Sequence, residues 1–315
     1  MSNAMVSICM PAYNAGKYIA EAINSVLSQS YERLELIVVN DGSTDNTAEI
    51  LHQVRDKRVK IFHQSNKGQS SAANTAFELS SGSLIKFMDA DDIISLSFIE
   101  NQVKCISGRK DAIVSASWGR FYNNDLSTFK LNPETVWKNM ESTDWLTESW
   151  RYGNSMMQCA LWLIPRQILD KSGLWDKDLN LINDFDFFSR VILNSSEVLF
   201  EKEAILFYRS GISGSLSDSK SETAIRSAFK SIEKATRSLL SYREDKDTLL
   251  ACANTWQQFA YTLYPKHKNL LKAVEYKICE LGGSDIGFKA GKLGDLFIKI
   301  FNWKTFLLIQ SIIKN

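Results

Sequence analysis

The sequence predicts an α/β fold, a mainly parallel sheet flanked by helices, and three observations lead to that reading. Short apolar runs recur, each bounded by turn residues. Segments with apolar residues at helical spacing lie between them, and each run ends abruptly in polar or acidic residues. Alternating strands and helices are joined by right-handed crossovers, which bring the strand ends to one side of the sheet. Ligands of such sheets bind in the crevice outside those carboxyl ends.

The first strand is expected over 6–10, stopping at Pro11-Ala12-Tyr13-Asn14. Residues 18–27 follow as a helix, because Ile19, Ile23, Val26 and Leu27 share one face. A second strand over 34–39 stops at Asn40-Asp41-Gly42-Ser43-Thr44-Asp45. Next come a helix over 48–54, a strand over 59–62 and a helix over 68–79. The fourth strand, 84–88, is bounded by Ser81-Gly82-Ser83 and is apolar except for Lys86. It ends in Asp89-Ala90-Asp91-Asp92, three carboxylates within four residues. Two aspartates so spaced can hold one hard divalent cation, which in turn can bridge a diphosphate. The plainer account is a solvated turn leading into the next helix, with Asp92 or Ser95 as N-cap. Tyr13, Asp41 and Asp89 are expected to converge on one crevice, and a strand over 112–117 completes this half.

Residues 118–208 hold six of the eight tryptophans: Trp118, Trp137, Trp145, Trp150, Trp162 and Trp175. Aromatic faces can stack on sugar rings, whereas core packing is the ordinary use of any one tryptophan. From 219 onward the pattern is helical. Ile225, Phe229, Ile232, Ala235 and Leu239 share a face, as do Leu249, Ala253, Trp256, Ala260 and Leu263. A third helix carries Leu270, Leu271, Val274, Ile278 and Leu281 and closes at Gly282-Gly283. At the end, Leu293, Leu296, Phe297, Ile300 and Phe301 oppose Lys292, Asp295, Lys299 and Asn302, and an apolar run over 303–313 lies between Lys304 and Lys314. Such a helix can lie in the headgroup layer of a membrane or pack on the helices before it.

With 37 basic and 36 acidic side chains, net charge does not point to a nucleic-acid partner. Cys9, Cys105, Cys159, Cys252 and Cys279 lack metal-ligand spacing and are odd in number, so they read as buried thiols in a reducing cytoplasm. Met1-Ser2-Asn3-Ala4 ahead of Met5 reads as a vector-derived leader. No signal-peptide pattern precedes the first strand, and the apolar run over 306–313 is far short of the ~20 residues a spanning helix needs. The expected location is cytoplasmic, with peripheral contact at the inner face of the membrane and a homo-oligomer both left open.

Pro11-Ala12-Tyr13-Asn14, Asp41-Gly42-Ser43-Thr44-Asp45, Asn66-Lys67-Gly68, Asn74 and Asp89-Ala90-Asp91-Asp92 stand in one order and spacing. In that order the chain resembles the glycosyltransferase family 2 members of the GT-A fold, over about two thirds of its length. Gly173-Leu174-Trp175-Asp176 is similar to the family's turn before the acceptor site, and Asn183-Asp184-Phe185-Asp186 with Arg190 to its catalytic helix. The resemblance implies a GT-A domain over 5–218, divided into a nucleotide-sugar half (5–117) and an acceptor half (118–218), with a helical region over 219–315. It implies an inverting transferase of polysaccharide biosynthesis that moves one sugar from a UDP-sugar to a hydroxyl of a glycan or lipid-linked acceptor. Donor-binding roles fall to Pro11, Tyr13, Asn14, Asp41, Asn66, Gly68, Asn74 and Asp89. Asp91 is the implied ligand of Mn²⁺ or Mg²⁺, and Asp184 the implied general base. Plainer roles stand beside these: an Asx turn for Asp41, a first-turn carboxylate after an Asn183 N-cap for Asp184, and an intrahelical ion pair for Asp186 and Arg190.

The departures are specific. The family's Glu-Asp is Asn183-Asp184 here, its Ala-Arg-Asn is Ala72-Ala73-Asn74, and no histidine follows Tyr208-Arg209 within 210–215. His52, His63 and His267 lie elsewhere. The Gln-x-x-Arg-Trp signature of processive synthases is absent, which fits addition of a single sugar. Residues 11–17 hold one Gly and one Lys, too few for the triphosphate loop of a sugar nucleotidyltransferase, and the first strand-helix turn lacks the G-x-G-x-x-G of a dinucleotide enzyme. The alternative that remains is a non-catalytic nucleotide-sugar or glycan-binding protein with a degenerate acceptor site.

Overall fold

The computed structural model describes residues 4–153, 156–212 and 221–313. It begins with the predicted alternation: β1 (Val6–Ala12), α1 (Ile19–Leu27), β2 (Leu34–Asp41), α2 (Thr47–Gln53), β3 (Val59–Gln64), α3 (Gln69–Glu78) and β4 (Leu84–Phe87). β2 and β4 are buried along their whole length and β1 at all but one position, which is why they read as unbroken apolar runs rather than alternating ones. β1 pairs in parallel with β2 and β4, and β2 in parallel with β3. α1 turns Ile19, Ala22, Ile23 and Val26 inward, the expected face.

The chain continues through β5 (Ile93–Ile94), α4 (Phe98–Ile106), β6 (Ala112–Tyr122), β7 (Asp125–Leu131), β8 (Met140–Glu141) and α5 (Ser142–Trp150). It then forms a 3₁₀ turn at Cys159–Leu161, β9 (Ile164–Pro165), α6 (Arg166–Ser172), α7 (Asn183–Leu193) and β10 (Glu197–Ser210). β9 closes the first sheet antiparallel to β4, giving the order β3-β2-β1-β4-β9. The strand expected over 112–117 belongs to a second sheet, ordered β5-β10-β6-β7, and runs on to Tyr122. β6 lies parallel to β10, a partner that starts far downstream, so nothing local announces the pairing. α4 starts after Ser97, so neither Asp92 nor Ser95 caps it.

The helices that follow are α8 (Glu222–Tyr242), α9 (Lys246–Leu263), α10 (Lys268–Glu280), α11 (Gly291–Phe301) and α12 (Trp303–Ile313). By its contacts the chain forms two compact units, one holding residues up to Ser142 with Met157–Ser238, the other Thr143–Met156 with Leu239–Asn315. In the second unit Asp245 caps α9 by accepting from the Thr248 backbone N–H at 2.8 Å. Ala253, Trp256, Ala260 and Leu263 of α9 and Leu271, Val274 and Ile278 of α10 are buried. The buried Asn254 amide donates to the Arg151 carbonyl (2.7 Å) and to Asp285 Oδ1 (2.8 Å). Of the apolar residues expected on the last helices, Phe297 and Phe306 meet at 6.0 Å, while Phe301 and Ile312 are exposed. The side chains of Lys292, Leu293, Leu296 and Lys299 lie outside the described residues, as do residues 213–215 and Lys314. Among the described residues, no helix is long and apolar enough to cross a membrane.

Candidate active site

The parallel strands deliver the loops after β1, β2 and β4 to one edge of the first sheet. The first two loops are laced together. Asn14, at φ 49°, receives the Thr44 N–H on its side-chain oxygen (2.8 Å) and gives its own N–H to Ser43 (3.0 Å). Gly16 donates to Asp45 at 3.0 Å, and a Cβ there would stand 1.9 Å from Asn46 Oδ1, so any larger residue would displace the Asn46 side chain. Tyr13 is left 51% exposed beside this lacing.

Asp41 is buried and organises the next loop. Its Oδ1 accepts from Gln64 (2.7 Å) and the Lys67 N–H (2.9 Å), and its Oδ2 from the Gly68 N–H (2.8 Å). Gly42 allows the turn: its φ is 70° and a Cβ would lie 2.7 Å from the Asn66 nitrogen. Asn66 and Gly68 are exposed at the mouth. Asn74, expected on the donor, is turned inward instead; its amide gives to the Trp175 carbonyl (2.9 Å) and accepts the Trp175 N–H (3.0 Å). It braces Trp175, which stacks on Phe187 (4.0 Å, 15°) and meets Phe87 edge-on. A pocket between these elements is lined by Pro11, Ser70, Phe87, Asp89, Cys159 and Trp175. Trp118, Trp150 and Trp162 are fully buried, so core packing accounts for most of the tryptophan-rich stretch and Trp175 alone of these four reaches the pocket.

One oxygen from each of Asp89, Asp91 and Asp92 lies within 4.8 Å of the others. Burial, followed by the charge of Asp89, pushes Asp91 up to about 7. Burial and the charges of Asp91 and Asp89 push Asp92 well above the usual carboxylate range. Asp89 is raised by burial and by the charge of Asp184, against hydrogen bonds from the Cys159 thiol and from Gln69 Nε2 at 2.8 Å. Asp184, the second residue of α7, is raised by burial to about 6 although it accepts the Phe185 N–H at 2.9 Å. Ile182, at φ 47°, precedes the helix, and Asn183 is its first residue, held by Ser70 at 3.0 Å. Asp186 and Arg190 form the expected ion pair (3.0 Å), and Arg190 also grips the carbonyls of Ser172 and Leu174.

The aspartate cluster fits a hard divalent cation. Its three donors are carboxylate oxygens, they resist being charged together, and Asp92 Oδ2 is buried with no hydrogen-bond partner. Among the described residues that cluster contains no histidine.

Three contributors were not singled out by sequence reasoning. Arg209 holds the aspartate loop from β10: its N–H donates to Asp92 Oδ1 (3.1 Å), its Nε to the Asp91 carbonyl (2.7 Å) and its Nη2 to Glu21 (2.6 Å). The guanidinium lies between the rings of Tyr18 and Phe121. Lys86, fully buried in β4, donates to the carbonyls of Ala160 (2.6 Å) and Trp162 (3.0 Å), and Gln102 holds that of Leu161 (2.7 Å). These bonds fix the turn that sets Cys159 beside Asp89. The signals were a lysine inside an apolar strand and an arginine after Tyr208, neither of which names its partner.

A family model described as glycosyl transferase family 2 matches residues 7–173. Glycosyltransferase GlyG of Streptococcus pneumoniae serotype 4 is 39% identical over 126 residues, which is 39% of this chain and 41% of GlyG. An uncharacterized glycosyltransferase of Rickettsia typhi is 31% identical over 204 residues, 64% of this chain and 63% of its own length. The chain thus matches less than two thirds of either relative's length. Among solved structures, residues 1–349 of S. aureus TarS in complex with UDP-GlcNAc give a TM-score of 0.64 at 18% identity, covering 88% of this chain and 89% of that one. The likeness is one of fold, the GT-A arrangement.

Proposed function

The chain belongs to glycosyl transferase family 2, and from that premise we propose an inverting transferase that moves one sugar from a UDP-sugar to a hydroxyl of a glycan or lipid-linked acceptor in polysaccharide assembly. The observation that carries this reading is the gathering of Asp89, Asp91, Asp92 and Asp184 beside the Asp41 loop at one sheet edge. TarS, alike in fold, has been crystallised with UDP-GlcNAc and with UDP, which supports a uridine diphosphate donor. The five cysteines are free thiols, which supports a cytoplasmic enzyme; Cys9, Cys159 and Cys252 are buried as expected, whereas Cys105 is half-buried and Cys279, near the end of α10, is exposed.

Transfer needs a grip on the nucleoside, a counter-charge for the leaving diphosphate, orientation of the sugar and a base for the acceptor. The exposed Tyr13 ring offers the base a stacking face, and Asp41 Oδ2, which accepts one N–H, keeps capacity for an imide N–H or ribose hydroxyl. Pro11 and Asn14 shape that loop, and Asn66 and Gly68 form its rim. Mn²⁺ or Mg²⁺ held by Asp91 with its neighbours Asp89 and Asp92 would supply positive charge against the departing diphosphate. Trp175 presents a flat wall for the sugar. Asp184 takes the acceptor proton; at about 6 its carboxyl is ionised at neutral pH yet more basic than an ordinary aspartate. Attack from the face opposite the diphosphate inverts the anomeric centre in one displacement.

Calorimetry of UDP with and without Mn²⁺ tests the assignment. Binding is expected to strengthen with the metal, and Asp91→Asn to abolish that dependence. Metal-dependent affinity unchanged in the variant would overturn the metal site.

A further inference from the structure

We propose that the two C-terminal helices seat this protein on an anionic lipid surface. Their inner faces are already taken. Trp303 packs edge-on against Tyr261 (5.0 Å) and Tyr264 (5.8 Å), and Phe306 lies 6.0 Å from both Phe288 and Phe297. Of the outer residues Phe301 leans on Phe297 (4.9 Å), yet it and the others stay open to solvent. Ile300 is 68% exposed, Phe301 53%, Ile312 67% and Ile313 77%, with Leu308 and Ile309 at 41% each. Single exposed apolar residues are ordinary, but six large ones within fourteen residues are not. On α12, Leu308, Ile309, Ile312 and Ile313 fall at helical spacing on one stripe, and no residue of that helix is buried.

Length decides how the stripe can meet a bilayer. α11 and α12 have 11 residues each, about 17 Å of helix, roughly half of what is needed to span the hydrocarbon core. They can lie along the headgroup boundary and cannot cross it. Charge decides what they meet. Residues 286–315 hold Lys289, Lys292, Lys299, Lys304 and Lys314 against Asp295 alone, a net charge of +4 in a chain whose total is +1. The rest of the chain is therefore net negative, and the exposed apolar residues sit within its basic end. Two copies meeting through this end would bring like charges together, whereas an anionic leaflet complements them. Lys304 stands beside Glu275 and Lys289 is exposed.

The test is flotation of the full chain on vesicles of phosphatidylglycerol and phosphatidylcholine, and on phosphatidylcholine alone, with no nucleotide present. The readout is thus independent of glycosyl transfer. The protein is expected to float with the anionic vesicles, and to be released by high salt. A Phe301→Glu, Leu308→Glu, Ile312→Glu variant should lose about a hundredfold in partitioning, because it removes the inserted side chains and repels the leaflet. All three positions are exposed and only Phe301 gives up a ring contact, with Phe297, so its melting temperature should stay within a few degrees of the parent's. A parent that stays with the soluble fraction on anionic vesicles, or a variant that floats equally well, overturns the proposal. So does a parent dimer that the variant converts to monomer while neither form binds vesicles, which would mean that a second copy covers the face.

Discussion

Acidifying the metal-free protein from about pH 8 to about pH 5.5 should stabilise it, the reverse of ordinary acid denaturation. Burial and the charge of Asp89 hold Asp91 at about 7, and burial holds Asp184 at about 6, against an ordinary aspartate value of about 3.9 when unfolded. Both folded pKa values are raised, so the native state binds protons that the unfolded chain does not, and stability grows as pH falls through 7 and then 6. Over this window Asp91 contributes about 2 kcal/mol and Asp184 about 1 kcal/mol. Glu35 and Asp56, held at about 2 by hydrogen bonds from Lys60 and Arg58 among others, act in the opposite sense but only at lower pH. At about 2 °C per kcal/mol for a chain of this size, the melting temperature should rise by about 5 °C. Saturating Mn²⁺ should raise it at pH 8 and reverse the slope, because the cation binds only ionised carboxylates. Scanning calorimetry at constant ionic strength, in EDTA and in Mn²⁺, measures both. A metal-free melting temperature that falls across the window, or no response to Mn²⁺ at pH 8, refutes the argument that burial, with the charge of Asp89 on Asp91, raises these carboxylates.

Asp184→Asn should keep UDP affinity within a few fold while transfer falls by ~10²-fold or more, as for a missing general base; near-normal turnover would reduce Asp184 to a helix-terminal carboxylate. Arg209→Lys keeps the charge but loses the fork that holds the aspartate loop, so Mn²⁺ affinity should fall by about tenfold in titration, and an unchanged affinity would show that the loop holds itself. Lys86→Met leaves two buried carbonyls without their donor and should cost about 2 kcal/mol, read as a lower urea midpoint. A midpoint that does not move would mean that desolvating the amine cancels its bonds.

The first half of the fold was legible because its information is local. β1, β2 and β4 are covered on both faces, so each appears as an apolar run, and the polar residues after each run mark the edge where the crevice forms. β10 was not legible. Its 14 residues mix Glu197, Glu201, Lys202 and Glu203 with apolar positions, and its pairing with β6 is made by register with a distant strand rather than by any local pattern. Tryptophan density misled for a related reason: composition counts aromatic faces but not which way they point, and Trp118, Trp150 and Trp162 point into the core.

The site divides along the same line. Residues proposed to touch a ligand sit at strand ends or, for Asp184, in the first turn of α7, where a short motif suffices to mark them, and the structure places Asp89, Asp91 and Asp184 near one another. Residues that hold those segments act across long separations. Arg209 reaches Glu21 from 188 positions away and Lys86 reaches Ala160 from 74, and such pairings exist only once the chain is folded. Asn74 belongs with them: the resemblance assigned it to the donor, yet its amide is spent on both backbone groups of Trp175. A sequence motif records that a residue type is required at a position. Whether the need is for contact with a ligand or for support of the residue that makes it depends on where the side chain's hydrogen bonds go.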